Sequence, residues 1–266
     1  MANDPLSDFS RGSFSAQGLT YPTFSKGESG PGVVVIAEIP GITPLVADFA
    51  RRVVDRGFRV TMPSMFGTPG REPSPPYLLK SISKACISKE FNTFFQRKNS
   101  PAANWARELA KDLHERCGGR GVGMVGMCLT GNFALAAMAD PVMLAPVLSQ
   151  PSLPFALTKA LGADLNIDDG TLVAIKKRVA EDDACVLGLR FTGDGAVPPR
   201  RFESLRRELG DGFISVEIDS SQGNPHGIKK TAHSVLTEDL VDEEGHPTHA
   251  ALHQVLDFFE ERLQAT

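Results

Sequence analysis

Five consecutive apolar residues, Val33-Val34-Val35-Ile36-Ala37, follow Gly30-Pro31-Gly32 and are closed by Pro40-Gly41. A β-branched run with no polar alternation fits a strand buried on both faces, and such strands belong to parallel sheets covered by helices on each side. The rest of the chain continues the theme. Pro44 opens a helix through Arg56, with Leu45, Phe49 and Val53 at helical spacing and Gly57 as its stop. Strands are expected at Phe58–Met62, Val122–Val125, Val142–Leu148, Cys185–Phe191 and Phe213–Ile218. Helices are expected between and after them, at Trp105–Arg116, Leu129–Ala139, Leu172–Glu181, Pro199–Leu209 and Thr248–Leu263. Strands alternating with helices in this way predict an α/β fold with a mostly parallel sheet and helices on both faces.

The length of 266 residues suits a single domain over 1–266. Two segments stand apart within it. Residues 1–29 are rich in Gly and Ser and read as an N-terminal extension, with Leu19–Phe24 as an edge strand. Residues 77–99 read as a lid-like helical insertion carrying Phe91, Phe94 and Phe95, with a peripheral packed helix as the plainer alternative.

Twenty-eight basic residues against 32 acidic ones give a net charge of -4, with no basic block, which argues against nucleic acid or an anionic membrane as partner. The start, MANDPLSDF, lacks the charge and apolar pattern of a signal peptide, and the apolar run Phe133–Leu148 is broken by Asp140, Pro141 and Pro146, so a cytoplasmic address is expected. Cys86, Cys117, Cys128 and Cys185 lie far apart, with no paired spacing for a disulfide framework or a thiolate zinc site.

In a parallel sheet, chemistry belongs to the loops at the carboxyl ends of strands. Gly126-Met127-Cys128-Leu129-Thr130-Gly131 follows one strand and opens a helix. A nucleophile on such a sharp turn needs small neighbours, and helix N–H groups beside it favour a thiolate and an oxyanion. Asp194 follows the strand ending at Phe191, and His226 lies in the loop after the next strand, in Asn224-Pro225-His226-Gly227. Nucleophile, acid and histidine in this order match the α/β hydrolases, with Asp194 fixing the imidazole tautomer and His226 moving the proton. His233, seven residues later, is the rival; proximity to the strand end and the following glycine favour His226. Glu38, directly after the first buried strand, reads either as a structural anchor or as part of the site.

Other patterns carry less. Gly121-Val122-Gly123-Met124-Val125-Gly126 has dinucleotide spacing but contains its strand rather than following it, and Asn132 stands where a phosphate loop needs lysine. His246, His249 and His253 share a helical face, yet no acid or cysteine at ligand spacing joins them, so neither a cofactor nor a metal is expected.

The segments Val33–Ile42, Met124–Gly131, Phe191–Pro199 and Asn224–Ile228 together resemble the dienelactone hydrolase family, a cysteine branch of the α/β hydrolases, from about Gly30 to the C-terminus. The resemblance implies Cys128 as nucleophile, His226 as base and Asp194 as its orienting acid. It also implies Glu38 as a carboxylate that contacts the resting cysteine, the Ile39 and Leu129 N–H groups as oxyanion hole, and small esters or lactones as substrates. Thr130 departs from the family's usual glycine. Of two family arginines that hold a substrate carboxylate, one falls near Thr68, with Arg71 the nearest basic residue. The other, four positions after the catalytic histidine, is matched in charge only by Lys230. A neutral or weakly polar acyl group is therefore expected. Acyl transfer through the same cysteine, or a hydrolase fold retained as a binding protein, are the competing readings.

Overall fold

The computed structural model describes residues 2–87, 100–152 and 162–264. Eight strands form one sheet: β1 (Ser10–Ala16), β2 (Leu19–Lys26), β3 (Gly32–Ile36), β4 (Arg59–Pro63), β5 (Val122–Met127), β6 (Met143–Ser149), β7 (Val186–Phe191) and β8 (Phe213–Ile218). Their spatial order is β1-β2-β4-β3-β5-β6-β7-β8. From β4 through β8 all neighbours are parallel, whereas β2 pairs antiparallel with both β1 and β4.

The helices are α1 (Pro44–Asp55), α2 (Pro75–Ile87), α3 (Pro101–Cys117), α4 (Gly131–Ala137), α5 (Asp169–Glu181), α6 (Pro199–Leu209) and α7 (Pro247–Leu263). Alternation along β3 shows why the sheet needs two helical layers. Val33 and Val35 join a core with Phe49 and Val53 of α1 and Val255 and Phe259 of α7. Val34 and Ile36 point the other way, into a core with Trp105 and Leu109 of α3, Phe133 of α4 and Phe202 of α6. Every residue of β3, β5 and β7 is buried, as both-face coverage requires.

Helix starts follow local chemistry. Thr43 Oγ1 accepts the Val46 N–H and Ser100 Oγ accepts the Ala103 N–H, each just before a proline at the first helical position. His246 caps α7 through its ring, His249 bonds Asp242, and the His253 ring contacts Arg56 and lies 4.4 Å from that of His249.

Within the N-terminal residues, β1 and β2 join the sheet next to β4. Leu6 and Phe9 are buried in the α1 core, and Arg51 of α1 pairs with Asp4 and Asp8. β1 was not anticipated because Ser10–Ala16 has a weak apolar pattern; its register is set by pairing with β2 from Ser10↔Ser25 to Ala16↔Leu19. Phe91, Phe94 and Phe95 of the expected lid-like insertion lie outside the described residues. No helix among the described residues is long and apolar enough to cross a membrane.

Candidate active site

The strand order brings the carboxyl ends of β3, β5, β6, β7 and β8 side by side, and the candidate residues follow these ends. Cys128 begins a short 3-10 turn between β5 and α4, with φ of 54°, in the left-handed region that non-glycine residues rarely occupy. A single strained residue at a strand-to-helix turn lifts its side chain clear of the sheet.

The glycines around Cys128 have steric reasons. A Cβ on Gly126 would stand 2.1 Å from the Thr130 carbonyl oxygen, and one on Gly131 would stand 2.8 Å from Pro151 Cβ. Thr130, where the family resemblance puts glycine, turns its side chain inward. Its hydroxyl accepts the Met127 N–H at 2.9 Å and reaches the Ile36 carbonyl at 3.1 Å. It thereby ties the cysteine turn to the end of β3, the strand that leads into Glu38 and Ile39.

The histidine brought to this cysteine is His233. Its Nδ1 lies 2.6 Å from Asp194 Oδ2, and a ring nitrogen lies within 4.8 Å of Cys128 Sγ. Asp194 is buried, and its other oxygen accepts the Ala196 N–H at 2.8 Å, which fixes the carboxylate behind the ring. Asp239 Oδ2 accepts the backbone N–H groups of His233 and Ser234 at 2.7 and 3.1 Å. Burial by itself lowers the His233 pKa, but Asp194 and Cys128 outweigh it and raise the group to about 11.

His226 does not reach the site, which corrects the expectation drawn from its loop. It is exposed, its ring lies 5.3 Å from that of His246, and its N–H is accepted by Asn224 Oδ1. Asn224 organises this turn, bonding the carbonyls of Ser221 and Ile228 and the N–H of Ile228 as well. The Asn-Pro-His-Gly sequence is thus the tip of an outward excursion. Ala232, Val235 and Leu236, buried beside His233, return the chain to the core. That apolar frame was the sequence signal for His233, and proximity to the strand end misled.

Glu38 is buried against the same loop. Its carboxylate accepts hydrogen bonds from Thr237 Oγ1 at 2.7 Å, Ser234 Oγ at 2.8 Å and Gln150 Nε2 at 3.3 Å. Gln150 also accepts the Val235 N–H. A carboxylate oxygen of Glu38, Cys128 Sγ and a His233 ring nitrogen all lie within 4.8 Å of one another. The partner hydrogen bonded to the sulfur on this side is Ser152, whose Oγ lies 2.9 Å from Cys128 Sγ. Nothing in the sequence marks Ser152, because a serine just beyond a strand after proline has no distinguishing pattern.

Arg71 and Lys230 fare differently from expectation. The Arg71 guanidinium stacks 4.3 Å from the Tyr77 ring centroid, and Lys230 is exposed in the excursion that carries His226. Counted from His233, the position four residues on is Thr237, a buried hydroxyl already bonded to Glu38.

A parallel sheet with a left-handed cysteine turn at the end of a central strand, and an acid and a histidine delivered by later strand ends, is an α/β hydrolase. The chain belongs to the dienelactone hydrolase family, whose model matches residues 19–263. A Saccharomyces cerevisiae protein named "Putative carboxymethylenebutenolidase" is 24% identical over 209 residues, 77% of this chain and 67% of that one. Among solved structures, P91, a dienelactone hydrolase-like promiscuous phosphotriesterase from metagenomic libraries, superposes with a TM-score of 0.62 at 16% identity, covering 96% of this chain and 98% of that one. The dienelactone hydrolase of Anabaena variabilis gives a TM-score of 0.57 at 15% identity, covering 96% and 98% respectively.

Proposed function

We propose that the protein hydrolyses a small ester or lactone through an acyl-enzyme on Cys128. The observation that carries this reading is the grouping of Cys128, His233 and Asp194, with a 2.6 Å His233–Asp194 bond and a His233 ring nitrogen within 4.8 Å of the strained cysteine's Sγ. The thiolate of Cys128 attacks the substrate carbonyl, and the C–S bond forms as the carbonyl electrons move onto oxygen. The N–H groups of Leu129 and Ile39, one at the cysteine turn and one beyond β3, are assigned to that oxyanion. Collapse of the tetrahedral intermediate breaks the C–O bond, and the leaving alkoxide takes its proton from the His233 imidazolium. In a lactone the resulting alcohol stays attached to the acyl group. Neutral His233 then takes a proton from water as the hydroxide attacks the thioester, and the acid leaves with thiolate and imidazolium restored. Asp194 holds the tautomer and balances the imidazolium charge throughout.

The assignment of base moves from His226 to His233 on contact alone. Substrate preference follows from Thr237 and Glu38. The position four residues after the base offers no guanidinium, and the nearest buried charge is a carboxylate. Substrates with a neutral or weakly polar acyl group suit this site better than anionic lactones. Turnover of matched neutral and carboxylate-bearing aryl esters, with mass analysis of the Cys128 peptide during turnover, tests the reading. It requires an acyl mass on Cys128 and a neutral-ester preference; a preference of more than about tenfold for the anionic ester contradicts the substrate assignment.

A further inference from the structure

We infer that Ser152 is a catalytic residue of this site, its hydroxyl hydrogen bonded to Cys128 Sγ and donating to it when the sulfur becomes the thiolate that attacks the substrate. The inference rests on Cys128 being the nucleophile.

Geometry carries it. Ser152 is buried, its Oγ is 2.9 Å from Sγ, and its backbone N–H donates to the Cys128 carbonyl at 3.1 Å. The residue is therefore fixed to the cysteine at two points. The approach of the Pro151-Ser152 segment depends on Gly131, since a Cβ there would collide with Pro151 at 2.8–2.9 Å. Gln150, wholly buried with φ of 36°, turns the chain from β6 into this position. A strained residue, a required glycine and a backbone bond thus converge to place one hydroxyl on the sulfur.

The direction of the bond follows from the chemistry of the attack. A thiolate carries no proton and can only accept, so against the attacking sulfur the Ser152 hydroxyl is the donor. A ring nitrogen of His233, itself bonded to Asp194, and a carboxylate oxygen of Glu38 lie within 4.8 Å of Sγ. The Glu38 carboxylate is committed to Ser234, Thr237 and Gln150. Its charge disfavours a thiolate within 4.8 Å, while Ser152 favours one. When the sulfur attacks and forms its C–S bond, it loses charge and the hydroxyl loses its acceptor. No proton is transferred by Ser152.

The experiment is the rate of iodoacetamide alkylation at Cys128 against pH, read by mass spectrometry of its peptide so that Cys86, Cys117 and Cys185 do not contribute. Ester turnover is recorded on the same samples. Ser152→Ala is expected to move the midpoint upward by about one pH unit, the scale of one lost hydrogen bond to a charged acceptor. Ser152→Thr, which keeps the hydroxyl, restores it, and Glu38→Gln moves it downward. An unchanged midpoint in folded Ser152→Ala, or a downward move, overturns the inference. Cys128→Ala separates the two readings: full ester turnover in that variant removes the nucleophile assignment itself. Lost turnover with an unshifted Ser152→Ala profile removes only the role of Ser152.

Discussion

Asp194 Oδ2 and His233 Nδ1 lie 2.6 Å apart, although 39 residues separate them in the chain and the strand β8 intervenes. Their contact identifies which of two histidines meets Cys128, and it leads directly to a test. His233→Ala is expected to lower kcat/KM at least ~100-fold, the scale of lost general acid and base catalysis. His226→Ala, at the exposed tip of its loop, is expected to stay within about twofold of the parent. Steady-state kinetics on the two purified variants checks this, and the reverse ranking returns the role to His226.

The raised pKa of His233 has a consequence for stability. In the folded protein the group keeps its proton up to about pH 11, whereas the unfolded chain releases it near 6.5. Between those values the folded His233 binds more protons than the unfolded one, so its contribution to stability falls as pH rises. The full contribution is present below about pH 6.5 and disappears as pH passes through about 11. Asp194→Asn removes the charge that sustains the imidazolium and is expected to flatten the decline. Thermal melts from pH 6 to pH 10 on both proteins measure it; parallel curves contradict the coupling.

Much of this architecture is legible in the residues themselves. The unbroken run Val33–Ala37, Pro44 at the helix start and the helical spacing of Leu45, Phe49 and Val53 specify β3 and α1 almost to the residue. The cysteine turn is readable too, because Gly126 and Gly131 are required by backbone and Pro151 contacts within it. What local pattern cannot supply is the path of a long loop. His226 and His233 lie in one connection, and only the burial of Ala232, Val235 and Leu236 decides which returns to the sheet. Ser152 and the Glu38–Thr237 bond depend on contacts across 24 and 199 residues, so no short motif reports them.

Glu38 anchors the loop bearing His233, and its removal is expected to loosen that loop. Thr237→Val keeps the side-chain shape but deletes a donor to a buried carboxylate, a change of about 1–3 kcal/mol. The expected outcome is a lower Tm together with a fall in kcat larger than any change in KM. Denaturant melts and kinetics on one preparation test this, and an unaltered Tm contradicts an anchoring role.

Gly131→Ala probes the contact between the cysteine turn and the segment after β6. The added methyl meets Pro151 at 2.8–2.9 Å, and neither partner is a flexible side-chain end. A loss of about 1–3 kcal/mol is expected from such overpacking. Equilibrium unfolding measures it; wild-type stability would mean that Pro151 and Ser152 are free to retreat from Cys128.

Covalent catalysis by Cys128 is tested most directly by rapid acid quenching of the enzyme during turnover of a neutral aryl ester. Intact-protein and peptide mass spectrometry are expected to find the acyl mass on the peptide containing Cys128, with Cys128→Ala folded, unlabelled and inactive. A Cys128→Ala variant that turns over the ester at the parental rate contradicts the account.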